Sequence, residues 1–254
     1  MKKNVYQHKT NFSILEKMRI TLTISLLISH FSYGQTESDL RDELELLTNP
    51  DSIYLKLDST GFENLPRINY NCFDQEAPSS WHVQDLNNDR LKDLIYSGPC
   101  KPYNQCAIFL NDGTKLIKVF DSPGKILKIE LNNFASKVSV LKTSCCCDNY
   151  SEFKEIRIDF NNSIEKKVMQ LHFETKISFS PGLGTKKISG VLRSKPILND
   201  SIYQDPCSEH AIIGNQILKI NNEKVVVLDS KEVWYLVLFK KDMANSLIGW
   251  IKED

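Results

Sequence analysis

Between Lys125 and Leu131 the apolar residues Leu127, Ile129 and Leu131 alternate with Lys128 and Glu130, and this two-residue period governs most of the chain. A period of two puts successive side chains on opposite faces of an extended strand, so each such segment buries one face and wets the other. Ile53, Leu55 and Leu57 follow the same rule, as do Ile156, Ile158 and Phe160, which are predicted to point inward. Another strand is expected around Val168–Ile177, after the connection that begins at Asn161-Asn162. The apolar runs Cys106–Leu110 and Leu116–Phe120 flank Asn111-Asp112-Gly113, a hairpin signal because Gly tolerates positive φ. Ser122-Pro123-Gly124 turns the chain again. The fold class these segments predict is mainly β, built from half-buried antiparallel strands.

The N-terminus departs from that rule. Arg19 precedes an apolar run, Ile20–Ile28, and the small residues Ser32 and Gly34 stand at −3 and −1 before Gln35. This is the layout of a cleaved secretory signal, predicted over residues 1–34. No Cys stands at the cleavage point, which argues against a lipoprotein anchor. Lys2, Lys3, Lys9, Lys17 and Arg19 against Glu16 give this segment a net charge of +4. The whole chain balances 32 cations against 32 anions, so the mature part carries −4. Such a balance gives no support to nucleic-acid binding. The apolar share of 41% excludes a disordered charged tail. No stretch reaches the roughly eighteen apolar residues of a membrane span. A soluble exported protein, periplasmic or extracellular, is expected.

After the signal, Thr36–Leu47 reads as a short amphipathic helix with Leu40, Leu44 and Leu47 at i, i+4 and i+7. Ser178–Lys187 carries Pro181, Gly182 and Gly184 with little hydrophobicity and reads as a connector. Three parts are therefore expected in the mature chain: a β-rich domain over 35–180, a linker over 181–187, and a second domain over 188–254.

The segment Asp85-Leu86-Asn87-Asn88-Asp89-Arg90-Leu91-Lys92-Asp93 places side-chain oxygens at positions 1, 3, 5 and 9. A hard divalent cation takes six to eight oxygens, and this alternation aims them into one concavity, with the carbonyl of Leu91 at position 7. Position 12 is Tyr96 instead of Glu, so a helix–loop–helix calcium hand is excluded, and the loop runs into a strand, Leu94-Ile95-Tyr96. The bland reading is an Asx-rich turn whose carboxylates bond backbone N–H groups without metal. Asp85, Asn87, Asp89, Asp93 and Leu94 resemble the FG-GAP/VCBS family of extracellular β repeats, whose loop reads Asp-x-Asn-x-Asp-Gly-x-x-Asp-Leu. The resemblance covers about residues 80–120. It implies a β domain and calcium bound by Asp85, Asn87, Asp89, Leu91 and Asp93, with the ion pinning the loop. Arg90 stands where that family has Gly, and a left-handed Arg costs roughly 1 kcal/mol.

Beyond the connector come Gly190-Val191-Leu192-Arg193-Ser194, then Ile212-Ile213-Gly214, Val225–Leu228, Val233-Trp234-Tyr235-Leu236-Val237 and Ile248-Gly249-Trp250-Ile251. This order resembles a bacterial SH3-like domain, which implies a small barrel of five short strands and binding of a cell-wall peptide or an envelope protein. Trp234, Tyr235 and Trp250 are the candidate ligand-binding residues that go with it, against the plainer reading of core packing. Lys195 and Asn222 stand where that family usually has Gly, and Ser201–His210 is a long insert.

The seven cysteines are Cys72, Cys100, Cys106, Cys145, Cys146, Cys147 and Cys207. In an exported chain they favour disulfides, whose connectivity is not deducible from spacing. His172 alternates with Gln170 and Glu174 and is expected on a solvated face. No G-x-S-x-G, H-E-x-x-H or P-loop occurs, so the chain reads as a non-enzymatic binding or scaffold protein. The alternative is an accessory or degenerate cell-wall hydrolase using Cys207 and His210.

Overall fold

In the computed structural model the described residues are 40, 44–47, 56–70, 72, 78–100, 103–142, 150–172, 184–204 and 211–253. The chain divides into two units, residues 1–44 and 45–254. Of the first unit only the helical Leu40 and Leu44 are described, and both are buried. The expected signal segment, most of the expected 36–47 helix, Cys145–Cys147, Cys207 and His210 lie outside the described residues. The second unit is mainly β, as the alternating pattern predicts.

Four strands form the first sheet: β1 (Trp81–Gln84), β2 (Asp93–Cys100), β3 (Tyr103–Asn111) and β4 (Leu116–Pro123). They run antiparallel in the order β1-β2-β3-β4. The larger sheet is made by β5 (Lys125–Glu130), β6 (Ala135–Lys142), β7 (Ser151–Asp159), β8 (Ile164–Leu171), β9 (Gly184–Arg193), β12 (Gln216–Lys231), β13 (Trp234–Lys240) and β14 (Asn245–Lys252). β10 (Ile202–Gln204) and β11 (Ala211–Ile213) pair separately as a short hairpin. The order in the large sheet is β13-β12-β9-β14-β8-β7-β6-β5, and β13 also pairs with β14. That extra pairing closes β13, β12, β9 and β14 into a ring. The seam with the rest is parallel, Asn245 to Ile248 of β14 against Val168 to Leu171 of β8.

Apolar burial explains the layering. Leu86, Ile95, Ile108 and Phe120 of the first sheet and its loop pack on Ile126, Val138, Val140 and Ile156 of the second. The opposite face of the first sheet presents Trp81, Leu94, Tyr96 and Phe109 to Phe62, Leu65, Ile68 and Tyr70 of the preceding arm. β2 is therefore covered on both sides, with Leu94, Ile95 and Tyr96 all fully buried. Inside the ring Leu192, Ile220, Val225, Val237 and Ile251 form a separate core. Gly249 is needed there, since a Cβ would stand 2.9 Å from the carbonyl oxygen of Arg193 on the facing strand. A disulfide, Cys72–Cys100, ties the arm to the far end of β2, and Cys106 is a buried free thiol.

The pattern misses at the ends of strands. β7 stops at Asp159, so Phe160 turns outward and is 63% exposed instead of lying inward with Ile156 and Ile158. A bulge between Ile126 and Lys128 buries both Ile126 and Leu127 and leaves Leu131 beyond the strand end, exposed. The runs Ile217–Ile220 and Val225–Leu228 belong to one long strand, β12, whose pairing shifts between Ile220 and Glu223, where Asn222 takes φ 51°. Within the expected linker, residues 181–183 are not described, while Gly184–Lys187 open β9 and pair with Val227–Lys224. His172 is buried, not solvated: it sits just past β8, its N–H donates to Ile248 O at 2.9 Å, and its ring stacks near Tyr150.

Two outcomes test this architecture. The disulfide closes a sequence separation of 28 residues, so the loop-entropy relation gives roughly 3–4 kcal/mol. Reductant, or Cys72→Ser with Cys100→Ser, should lower the urea midpoint by the equivalent amount; an unchanged midpoint refutes that contribution. His172 has no hydrogen-bond partner on Nε2, and burial pushes its pKa from 6.5 down to about 4. The unfolded chain therefore takes up the proton first, and stability is lost as pH falls from about 6.5 towards 4. The stability difference between His172→Leu and the wild type should shift in the variant's favour across that window, by up to a few kcal/mol.

Candidate metal loop

β1 and β2 are the arms of a hairpin whose last pair is Gln84 with Asp93, and residues 85–92 form the connection. The connection is organised by side chains bonding to backbone two to five residues on. Asp85 Oδ2 accepts the N–H of Arg90 at 2.9 Å. Asn87 Oδ1 accepts the N–H of Asp89 at 3.2 Å, and Asp89 Oδ1 accepts that of Leu91 at 2.7 Å. Asn87 Nδ2 donates to Asp89 Oδ2 at 2.8 Å. The alternation seen in the sequence thus wraps the chain around Asp85, Asn87 and Asp89. Asn88 and Arg90 take left-handed φ of 62° and 72°, which the wrap requires. Arg90 adopts the conformation Gly would supply, with its side chain in solvent.

Asp93 has a different placement. It is fully buried beneath the loop, Oδ2 accepting Leu86 N–H at 2.7 Å and Oδ1 accepting Asn111 N–H at 2.8 Å. Burial pushes its pKa up to about 6; the two N–H bonds oppose this, and the charges of Asp89 and Asp85 add to it. Asn111 returns the contact by donating Nδ2 to Lys92 O at 3.0 Å, and its Oδ1 accepts Gly113 N–H at 2.9 Å. The loop is therefore braced against the β3–β4 hairpin.

One polar atom in this arrangement has no partner. Asp85 Oδ1 is buried and accepts no hydrogen bond. Leaving a charged acceptor in that state costs more than the ~1–3 kcal/mol of a neutral group. A hard cation satisfies such an oxygen, and Asp85, Asn87, Asp89 and the Leu91 carbonyl offer oxygens of carboxylate, amide and carbonyl type within the loop. Among the described residues no three His, Cys, Asp or Glu side chains already form a metal cluster. A cation here would thus draw on Asn87 and the Leu91 carbonyl as well as on Asp85 and Asp89.

Two participants escaped the sequence reading. Asn162, in the β7–β8 turn with φ 61°, accepts from Asn87 Nδ2 on its Oδ1 at 2.6 Å. It lies 75 residues away, and nothing local links it to the loop. Asn111 was legible only as a turn residue.

The aromatic candidates of the ring are separated by the pleat. Trp234 is buried; Tyr235 follows it on the opposite face, packs against the ring's core and donates its OH to Glu253 Oε2 at 2.6 Å. Lys186 Nζ lies 4.3 Å above the Tyr235 ring. Trp250 is half-buried and pairs with Arg193 and Leu236. A cavity of about 360 Å³ lies beside the disulfide, lined by Asn69, Tyr70, Gln105, Lys118 and Asp121. Its carboxylate is already occupied: Asp121 accepts from Tyr70 OH at 3.1 Å, from Lys118 Nζ at 2.7 Å and from Gln105 Nε2. Burial raises the Asp121 pKa, but these three donors outweigh it and hold the carboxyl below its ordinary range. No family model, curated protein or solved structure matches this chain.

Arg90 gives the loop a direct test. Arg90→Gly should leave stability within about 1 kcal/mol, because relief at positive φ is offset by chain entropy. Arg90→Val, β-branched at the same φ, should cost about 1–2 kcal/mol in denaturant unfolding. Equal effects of the two would mean that the left-handed turn is not required.

Proposed function

We propose that this is an exported, non-enzymatic envelope protein of binding or scaffold type, whose Asp85–Asp93 loop holds a structural Ca²⁺. The observation that carries the reading is the buried, unpartnered Asp85 Oδ1 in a loop that also carries the side-chain oxygens of Asn87 and Asp89. Asp85, Asn87 and Asp89 supply side-chain oxygens, Leu91 its carbonyl, and Asp93 braces the loop from below through Leu86 and Asn111. The ion supplies positive charge among carboxylates that otherwise repel one another. Its effect is to fix the β1–β2 connection. Export is supported by the Cys72–Cys100 disulfide, which favours an oxidising compartment. The ring of β9, β12, β13 and β14 supports the SH3-like reading, in which that part offers a surface to cell-wall peptides or envelope proteins.

Calorimetric titration of the mature protein with Ca²⁺ should give a one-site isotherm that disappears in Asp89→Ala. Saturating Ca²⁺ should also raise the unfolding temperature of the wild type only, since a ligand bound to the native state alone stabilises it. The absence of heat in the wild type at millimolar Ca²⁺ overturns the reading.

A further inference from the structure

Of the side chains assigned to the calcium loop, that of Asn87 has two unlike ends. Its Oδ1 can bind a cation and its Nδ2 cannot. The residue is 2% exposed, so protein groups decide which end faces the loop. Oδ1 accepts the N–H of Asp89 at 3.2 Å, the longest bond of the wrap. Nδ2 is held more closely, by Asp89 Oδ2 at 2.8 Å and by Asn162 Oδ1 at 2.6 Å. These two acceptors are not equivalent. Asp89 is itself a proposed ligand, and a cation on its carboxylate competes with the bond to Nδ2. Asn162 stands outside the loop, in the turn between β7 and β8, and is free of that competition.

The turn holds that oxygen still. Asp159 O accepts the N–H of Asn162 at 3.0 Å, and Asp159 N–H donates to Ser163 O at 3.2 Å. Asp159 Oδ1 accepts the N–H groups of Asn161 and Ser163 at 2.9 and 2.8 Å. Asn162 itself takes φ 61°, a left-handed conformation that Asn tolerates better than most residues. These bonds fix its backbone before any ion arrives, so holding Asn87 costs little further order. We infer that Asn162 is a positioning residue for the calcium loop, keeping the Asn87 carboxamide with Oδ1 turned to the cation. The inference deepens the calcium reading above and rests on it. Groups that orient a metal ligand typically set affinity by roughly 10–100-fold. A neutral acceptor on an exposed turn belongs at the lower end of that range. Because the turn joins two strands of the larger sheet, the same bond links occupancy of the loop to that sheet, and the linkage is reciprocal.

Calorimetric Ca²⁺ titration of the mature protein and three variants tests it, beside amide hydrogen exchange. Asn162→Gly removes the acceptor and keeps the left-handed turn, whereas Asn162→Asp keeps an acceptor in place. Asn162→Gly should still unfold cooperatively in EDTA, yet bind Ca²⁺ about tenfold more weakly. Asn162→Asp should bind at least as tightly as the wild type. Asn162→Gly with Ser163→Asp, which adds the same charge one residue on, should stay as weak as Asn162→Gly. Saturating Ca²⁺ should slow amide exchange at Asn161–Ser163 in the wild type and leave it unchanged in Asn162→Gly. Calcium heat with equal affinity in the wild type and Asn162→Gly overturns the positioning role and leaves the calcium site standing. A weak Asn162→Asp, recovery by the Ser163 charge, or exchange in the wild-type turn that ignores Ca²⁺ also overturns the role alone. Absence of calcium heat in the wild type overturns both the site and the role built on it.

Discussion

A carboxylate with no exposure to water holds the first sheet in register. Asp93 opens β2 and spends one oxygen on the N–H of Leu86 and the other on the N–H of Asn111. Both donors are backbone groups that would otherwise be unpaired as the chain leaves one strand and enters another. Asparagine would fail at this position, because its amide would point a donor at one of them. The pair of bonds fixes where β2 begins against β1 and where β3 ends. From that start Leu94, Ile95 and Tyr96 fall into cores on both sides of the sheet. The loop above inherits its shape from the same anchor.

Strand existence was legible because alternation is a local property. The Asn111-Asp112-Gly113 turn, with Gly113 at φ 86°, and the apolar runs on either side of it formed as read. Phase at strand ends was not legible, because it depends on where hydrogen bonding to a neighbour stops. Phe160 continues the period of Ile156 and Ile158, yet the ladder with β6 ends one residue earlier and the side chain swings out. His172 reads as polar by its neighbours, but the parallel approach of β14 covers it. Pairing between residues so far apart leaves no trace in either segment's own pattern.

The loop divides in the same way. The spacing of Asp85, Asn87 and Asp89 encodes bonds that span two to five residues, so the wrap could be read directly. The misfit at Arg90 was also visible, though a side chain in open solvent can occupy a left-handed turn at modest cost. The inward use of Asp93 was hidden, since its partner Asn111 sits on another strand. Asn162 was hidden for the same reason, and with it the fact that the loop touches both sheets.

The position of β14 has a consequence for how the molecule is made. This strand lies between β8 and β13, parallel to the first and antiparallel to the second, and meets β9 only at the pair Trp250–Arg193. Both neighbours precede it in the chain, so during synthesis each waits with an open row of N–H and C=O groups. The two-sheet part can collapse early through local hairpins, but the large sheet stays interrupted until β14 arrives from the ribosome. Closure of the ring and joining of the seam are then a single late event, dominated by contacts distant in sequence, and such contacts form slowly. A nascent chain arrested before Asn245 would carry two adhesive edges in place of a continuous sheet.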